Sequence, residues 1–145
     1  MTPDVNILVA ASRTDHPQHT VALAWLERAA SAAETGAAFT LMPLVVTSFL
    51  RLVTNSRVFP NPTPIERAVE FVDALLGLPG VRLATLGTEW LKLRTLCLEK
   101  RLGGNDLPDA WLAAAVLHHD EHLVSFDADF KQLLGRGQFT LLAAA

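Results

Sequence analysis

Aspartates recur where predicted strands and helices begin or end, and they are the residues of this sequence best suited to chemistry. Asp4 precedes the apolar run VNILVAA, Asp109 lies in the first turn of an apolar helix, and Asp127 and Asp129 follow the run HLVSF. Parallel α/β folds bring such termini together at one edge of the sheet. Carboxylates gathered there repel one another unless cations lie between them. Oxygen-only clusters suit Mg²⁺ or Mn²⁺, which activate water for attack on phosphate.

Each aspartate also has an ordinary structural explanation. Asp4 could cap a turn, and Asp127 could begin one. Asp106 and Asp109 could stabilise a helix start through the helix macrodipole. Asp109, however, is followed directly by the apolar residues AWLA, so it begins the buried face of its helix. The set of positions therefore favours a metal site more than any single aspartate does.

The composition limits the class of protein. The chain has 145 residues, of which 50% are hydrophobic, and we expect one domain over residues 1–145. One cysteine excludes an internal disulfide and a multi-cysteine zinc site. No apolar stretch reaches the roughly 18 residues of a membrane span, so we expect a cytoplasmic protein that does not act at a membrane. The net charge of −3 argues against a basic nucleic-acid-coating protein but not against a metal-dependent nuclease.

The order of the apolar segments predicts an α/β fold. Strands are predicted over residues 5–11, 37–43, 81–86, 122–125 and 138–143. Between them, helices are predicted over 16–34, 44–55, 64–78 with Thr63 as N-cap, 88–103 with Gly103 and Gly104 at its end, and 110–120. Strands separated by helices of this length imply right-handed crossovers and a parallel sheet covered on both faces.

Four segments together resemble a known family. They are PDVNILVAA, SFLRLVTNSRVF, GGNDLPDAWLAAAV and HLVSFDADF, in this order along the chain. This combination resembles the PIN-domain ribonucleases, specifically the VapC-type toxins of bacterial toxin–antitoxin pairs, over essentially the whole chain. The resemblance implies a three-layer α/β/α domain with a central parallel sheet and an acidic pocket for one or two Mg²⁺ or Mn²⁺ ions. It also implies endonucleolytic cleavage of RNA, inhibition by a cognate VapB-type antitoxin, and a homodimer.

The resemblance assigns roles to particular residues. The first, third and fourth acidic positions of the family fall on Asp4, Asp109 and Asp127, which would be the catalytic metal ligands. Asn6 and Ser125 match small polar positions that assist the pocket. Supporting positions are also expected at Ser48 and Asp129, and Arg51 is a candidate for binding RNA phosphate or for an internal ion pair.

The second acidic position departs from the family pattern. Many PIN domains have Glu just before FLR, and Ser48 stands there in this chain. Because a hydroxyl cannot replace the charge of a carboxylate, we expect weaker metal binding or a single ion, unless Asp106, one helical turn from Asp109, compensates. Subfamilies with FLRLVTN and RVFPNP often lack that Glu, so its absence does not by itself predict inactivity. The alternative is a catalytically weakened PIN domain that acts mainly as an RNA- or antitoxin-binding module.

Overall fold

A parallel β-sheet lies at the centre of the fold. The computed structural model describes residues 1–85, 87–102 and 106–143. Strands β1 (Thr2–Pro3), β4 (Leu123–Ser125) and β5 (Phe139–Leu141) pair in parallel in the order β1-β4-β5. Strands β2 (Phe39–Leu41) and β3 (Val81–Leu83) form a second parallel pair. The backbone N–H of Thr40 on β2 donates to the carbonyl oxygen of Met1, the residue before β1, at 2.9 Å. This hydrogen bond joins the two sets of strands, which therefore follow in the order β3-β2-β1-β4-β5.

Helices cover both faces of the sheet, giving three α/β/α layers as predicted. Within the described residues they are α1 (Val5–Ser12), α2 (His19–Glu34), α3 (Pro43–Val53), α4 (Ile65–Leu76), α5 (Trp90–Lys100) and α6 (Asp106–His118), with a short 3₁₀ helix at Ala128–Gln132. The core between the layers is apolar, and Ile7, Leu8, Phe39, Leu41 and Phe49 are fully buried. No helix in this part of the chain is both long and apolar enough to cross a membrane.

The strand prediction for residues 5–11 is wrong, because this segment forms helix α1. The only strand residues near it are Thr2 and Pro3, so Asp4 follows the first strand rather than preceding it. Every residue from Ile7 to Ala11 is buried, which makes the helix apolar on all sides. A short apolar run of this kind carries no period that distinguishes a buried helix from a buried strand.

The boundaries of the helices also differ from the sequence predictions by a few residues. Helix α4 begins at Ile65, with Pro64 in the cap position and no side-chain cap, so the prediction of Thr63 as N-cap is wrong. The Thr63 hydroxyl instead accepts a hydrogen bond from Arg13 at 3.1 Å. Helix α5 ends at Lys100, and the predicted end at Gly103 and Gly104 lies outside the described residues.

Candidate metal-binding active site

Asp4 lies where the first strand meets the first helix. Its Oδ1 accepts a hydrogen bond from the backbone N–H of Val5 at 2.7 Å, which caps α1. Its Oδ2 accepts from Ser125 Oγ at 2.8 Å, and the residue is only 7% exposed. Burial raises the pKa of Asp4, the two hydrogen bonds oppose that rise, and the charge of Asp127 adds to it. The carboxylate is therefore fixed in direction and easily neutralised by a proton or a cation.

The hydroxyl of Ser125 connects three candidate site residues. Ser125 is fully buried at the end of β4, beside β1, so its side chain reaches Asp4 across the parallel pair. Its oxygen accepts from Asn6 Nδ2 at 3.1 Å and from the backbone N–H of Asp127 at 2.9 Å. Ser125 thus orients both a buried carboxylate and the start of the segment that carries Asp127.

Asp127 caps the 3₁₀ helix that follows β4. Its Oδ1 accepts from the backbone N–H of Asp129 at 2.8 Å, and its other carboxylate oxygen has no hydrogen bond recorded within the described residues. Asp127 is half-buried, whereas Asp129 is exposed. The Asp127 carboxylate is thus held by a backbone donor, and the Asp129 carboxylate lies nearer to solvent. Both carboxylates extend the acidic edge of the sheet away from Asp4.

Asp109 completes the acidic group from the first turn of α6, where it is half-buried. Its pKa is raised to about 6, first by burial and then by the charges of the aspartates that surround it, Asp4, Asp127, Asp129 and Asp106. A divalent cation bound among these carboxylates would relieve the repulsion between their charges. The structure thus brings together side chains that are separated by more than 120 positions in the sequence.

Asp106 and Asp129 line an acidic cleft beside Asp109. The cleft has a volume of about 200 Å³, and its remaining walls are Leu102, Gln132 and Leu133. Asp106 is exposed at the start of α6. Gln132 is a polar residue that the sequence analysis missed, because only the fold shows that the 3₁₀ helix faces α6 across this cleft.

The donor chemistry of the acidic group fits a hard divalent cation. All the candidate ligands are carboxylates, with hydroxyl and amide oxygens close by, as Mg²⁺ and Mn²⁺ prefer. In the residues that the structure describes, no three His, Cys, Asp or Glu side chains are grouped tightly enough to hold one ion by themselves. The side chains that would share an ion therefore have to move closer together on binding or leave coordination positions to water, which Mg²⁺ retains readily.

Neither Ser48 nor Arg51 lines the acidic cleft. Ser48 is half-buried on α3 and lines a separate groove of about 790 Å³. We call this the apolar groove; its other walls are Pro43, Leu44, Thr47, Leu93, Cys97, Leu107, Pro108 and Trp111. Arg51 is exposed in the last turn of α3, and no ion pair is recorded for it among the described residues. Hydrogen bonds and charge interactions connect Asp4, Asn6, Asp109, Ser125, Asp127 and Asp129. No such contact connects Ser48 or Arg51 to them among the described residues.

Glu89 is a second residue that the sequence analysis missed. It is 2% exposed, and its carboxylate accepts from Trp111 Nε1 at 2.6 Å and from the backbone N–H of Gly87 at 2.8 Å. Burial raises the pKa of Glu89, but these hydrogen bonds outweigh burial and hold the pKa below its usual value. Because Trp111 lies on the helix of Asp109, Glu89 anchors that helix to the start of α5. In the sequence, the only local indication of this role is that an acidic residue stands just before a helix.

Asp109→Asn is expected to raise the Tm of the metal-free protein by about 3 °C near pH 7.5, an effect discounted for the partial exposure of the side chain. The folded-state pKa of about 6 lies above the reference value of 3.8, so ionised Asp109 destabilises the fold above pH 6. That destabilisation is relieved as the pH falls from 6 towards 3.8. Thermal unfolding in EDTA at several pH values measures the gain, which should shrink towards about pH 4.5.

The matched control for this prediction is Asp73→Asn, at an exposed aspartate on α4. It removes the same charge far from the acidic group and should change the Tm little at any pH. A gain for Asp109→Asn that is the same at all pH values would contradict the electrostatic explanation.

Comparisons with known proteins identify the family of this chain. Residues 1–134 match the PIN domain family. The chain is 41% identical over 128 residues to Ribonuclease VapC31 of Mycobacterium tuberculosis (strain CDC 1551 / Oshkosh), covering 88% of each chain. It is 41% identical to Ribonuclease VapC25 of Mycobacterium tuberculosis (strain ATCC 25618 / H37Rv), again over 88% of each.

A solved structure shares the fold. It is the crystal structure of VapBC2 from Rickettsia felis bound to a DNA fragment from their promoter, which matches with a TM-score of 0.63 and 18% sequence identity. The match covers 95% of this chain and 94% of the other. The family match and the identities to the mycobacterial relatives together show that the chain belongs to the PIN-domain family and, within it, to the VapC-type ribonucleases.

Proposed function

We propose that this protein is a Mg²⁺- or Mn²⁺-dependent endoribonuclease, the toxin of a VapBC-type toxin–antitoxin pair. One observation carries the proposal: Asp4, Asp109 and Asp127 come from three separate elements at one edge of the sheet. Burial and the charge of Asp127 raise the pKa of both Asp4 and Asp109, and the charge of Asp4 raises the pKa of Asp109 further. A protein gains nothing in stability from such an arrangement. A cation bound between these carboxylates accounts for it.

The proposed roles follow from the contacts of each side chain. Asp4, Asp109 and Asp127 would hold the ion, which when bound lowers the pKa of an attacking water and neutralises charge on the scissile phosphate. Ser125 keeps the Asp4 carboxylate turned towards the site through its 2.8 Å hydrogen bond. Asn6 restrains that hydroxyl at 3.1 Å. These two residues position the ligands and do not themselves contact the reacting atoms.

Asp106 is proposed to supply the carboxylate that is missing at Ser48. Ser48 lies in the apolar groove, whereas Asp106 lines the acidic cleft together with Asp109. We expect Asp106→Asn to weaken Mn²⁺ affinity about 5-fold, or about 1 kcal/mol, because one charged oxygen donor is lost at an exposed position. Calorimetric titration with Mn²⁺ measures this, and Ser48→Ala is the control that should leave the affinity unchanged. Equal affinities for Asp106→Asn and the wild type would contradict compensation by Asp106.

The proposed partners are an RNA substrate, a cognate VapB-type antitoxin and a second copy of the chain in a homodimer. The apolar groove lies next to the site, since Leu107 and Pro108 in its wall directly precede Asp109. Its exposed Trp111 and Leu107 offer an apolar surface on which an antitoxin segment could be buried. Arg51 is proposed to contact RNA phosphate, because it is exposed and carries a charge of the right sign.

A catalytically weakened PIN domain is the second candidate function, and the loss of charge at Ser48 favours it. Incubating the purified protein with total RNA, in Mg²⁺ or in EDTA, separates the two. Cleavage that requires the metal and is lost in Asp4→Ala and Asp109→Ala supports the nuclease. RNA binding without metal-dependent cleavage would contradict the nuclease and support the binding module. Asp73→Asn should cleave like the wild type and controls for the loss of one charge, while the absence of cleavage in Asp4→Ala, purified in parallel, excludes a contaminating nuclease.

A further inference from the structure

A buried arginine clamps the loop between α3 and α4. Arg13 directly follows α1, and its side chain is only 6% exposed. Its guanidinium donates to both carboxylate oxygens of Asp15 at 3.0 and 2.7 Å. It also donates to Thr63 Oγ1 at 3.1 Å and to Asn61 O at 2.9 Å, and its Cζ lies 3.9 Å from the ring centroid of Phe59. One side chain thus fixes three positions of a loop about 50 residues further along the chain.

The loop, residues 54–63, is also fixed from within. The carbonyl of Asn55 accepts from the backbone N–H groups of Val58 and Phe59, each at 3.0 Å, and its side-chain oxygen accepts from the N–H of Arg57 at 2.9 Å. The N–H of Thr63 donates to Val53 O at 2.7 Å, closing the base of the loop. Prolines at positions 60 and 62 restrict the backbone further. The loop is therefore held in one shape before anything binds to it.

What this rigid loop presents to solvent is a short basic tip. Ser56, Arg57 and Val58 are exposed, and no ion pair is recorded for Arg57 within the described residues. Arg13, which holds the loop from outside, is itself buried and already paired with Asp15. An arginine whose backbone is already fixed loses little backbone freedom when its guanidinium binds a phosphate, and this favours its affinity for the phosphate.

The position of the loop relative to the acidic site favours RNA as its ligand. Asp4 and Arg13 flank the two ends of α1, whose eight residues span about 12 Å. Arg13, which holds the loop, therefore lies about 12 Å along α1 from Asp4. The acidic site itself repels phosphate, so an RNA substrate requires cationic contacts outside it. Arg51, in the last turn of α3, lies between Ser48 and this loop along the chain.

We propose that Arg57 is a phosphate-binding residue for the RNA strand outside the acidic cleft, and that Arg13 is a positioning residue that sets the place of Arg57. This inference rests on the proposed function for the choice of RNA as ligand. Arg13 is too buried to contact RNA itself, so its contribution acts through the loop.

Binding of a fluorescent single-stranded RNA, measured by anisotropy over a range of salt concentrations, tests the inference without requiring cleavage. Arg57→Ala should weaken binding about 5- to 10-fold at low salt and reduce the slope of log K against log salt by about 0.7, the value for one phosphate contact on a single strand. In cleavage assays the same variant should raise KM and leave kcat unchanged. Arg28→Ala is the matched control, since Arg28 is exposed on α2 beside Met1, at the opposite end of β1 from Asp4.

The role of Arg13 is tested by the double variant. Arg13→Ala should lose the same 0.7 of slope as Arg57→Ala, and Arg13→Ala/Arg57→Ala should lose no more than either alone. Arg13→Lys should behave like Arg13→Ala, because an ammonium cannot reproduce the bidentate fork. If the Arg13 variants do not fold, Thr63→Val removes one bond of the clamp and should show a partial loss of slope.

The outcomes separate this inference from the proposed function. Unchanged RNA affinity and slope in Arg57→Ala, or an equal loss in Arg28→Ala, overturns the role of Arg57. A lowered Tm with an unchanged slope in Arg13→Ala overturns the positioning role of Arg13. RNA binding that depends on Arg57 without metal-dependent cleavage would support this inference while contradicting the nuclease.

Discussion

The Asp4→Asn variant is expected to remain folded and to lose RNA cleavage by on the order of 10³-fold in kcat/KM, or about 4 kcal/mol of transition-state stabilisation. The carboxylate charge is lost, but the amide oxygen can still accept from the Val5 N–H and cap α1. Because burial raises the pKa of Asp4, removing the charge also removes an unfavourable desolvation cost, so the Tm should change little. The measurement is cleavage of a defined RNA at saturating Mg²⁺, with circular dichroism for the fold.

Two controls make the loss of activity interpretable. Asp73→Asn should keep the full rate, since it removes an equal charge from an exposed position on α4. Ser125→Ala should show an intermediate loss of roughly 10-fold, because it leaves the Asp4 charge but removes the bond that orients it. A variant Asp4→Asn that retains more than about a tenth of the wild-type rate would contradict the role of Asp4 as a metal ligand.

Phe130→Ala is expected to cost about 3–5 kcal/mol of folding free energy, a large part of the total for a domain of this size. Phe130 is 1% exposed in the 3₁₀ helix, and its ring centroid lies 5.9 Å from that of Phe139 on β5. The substitution leaves a cavity under the segment that carries Asp127 and Asp129. Urea unfolding measures the loss, and Phe130→Leu, which keeps most of the volume, should lose only about 1 kcal/mol.

The same variant links packing to the site. Asp127 and Asp129 both come just before Phe130 in the sequence, and the backbone N–H of Asp129 donates to Asp127 Oδ1 at 2.8 Å. A 3₁₀ helix that is no longer anchored should hold these carboxylates less well, so folded Phe130→Ala should require more Mg²⁺ for half-maximal cleavage. A cost below about 1 kcal/mol with normal Mg²⁺ dependence would contradict this view of the 3₁₀ helix as a support for the site.

The sequence predicted the positions of most elements, because their apolar runs differ in length and are bounded by Gly and Pro. It failed at residues 5–11, where an eight-residue helix buried on all sides has the same composition as a buried strand. Asp4 was nevertheless expected near the sheet edge, and the structure places it there at the end of β1 rather than before a strand. The two-residue strand is too short to show any alternation.

Side chains that interact over long sequence distances were the hardest to predict. Asp4 and Ser125 are 121 positions apart, and nothing local in either segment indicates their 2.8 Å hydrogen bond. The family resemblance assigns both residues to one pocket but does not predict this contact. Arg13 and Gln132 were missed because no family motif marked them and their partners lie on other elements. Thr63 has the sequence pattern of a helix cap, yet its hydroxyl is used by Arg13. For Thr63, a tertiary contact therefore overrides the local preference.

Direct binding of Mn²⁺, followed by electron paramagnetic resonance, tests the central claim that Asp4, Asp109 and Asp127 form one metal site. The wild-type protein should bind Mn²⁺ and release it to EDTA, and Mg²⁺ should compete. Asp4→Asn, Asp109→Asn and Asp127→Asn should each weaken the affinity at least about 10-fold, while Asp73→Asn should not. Mn²⁺ affinity that is unchanged in all three site variants would contradict the claim.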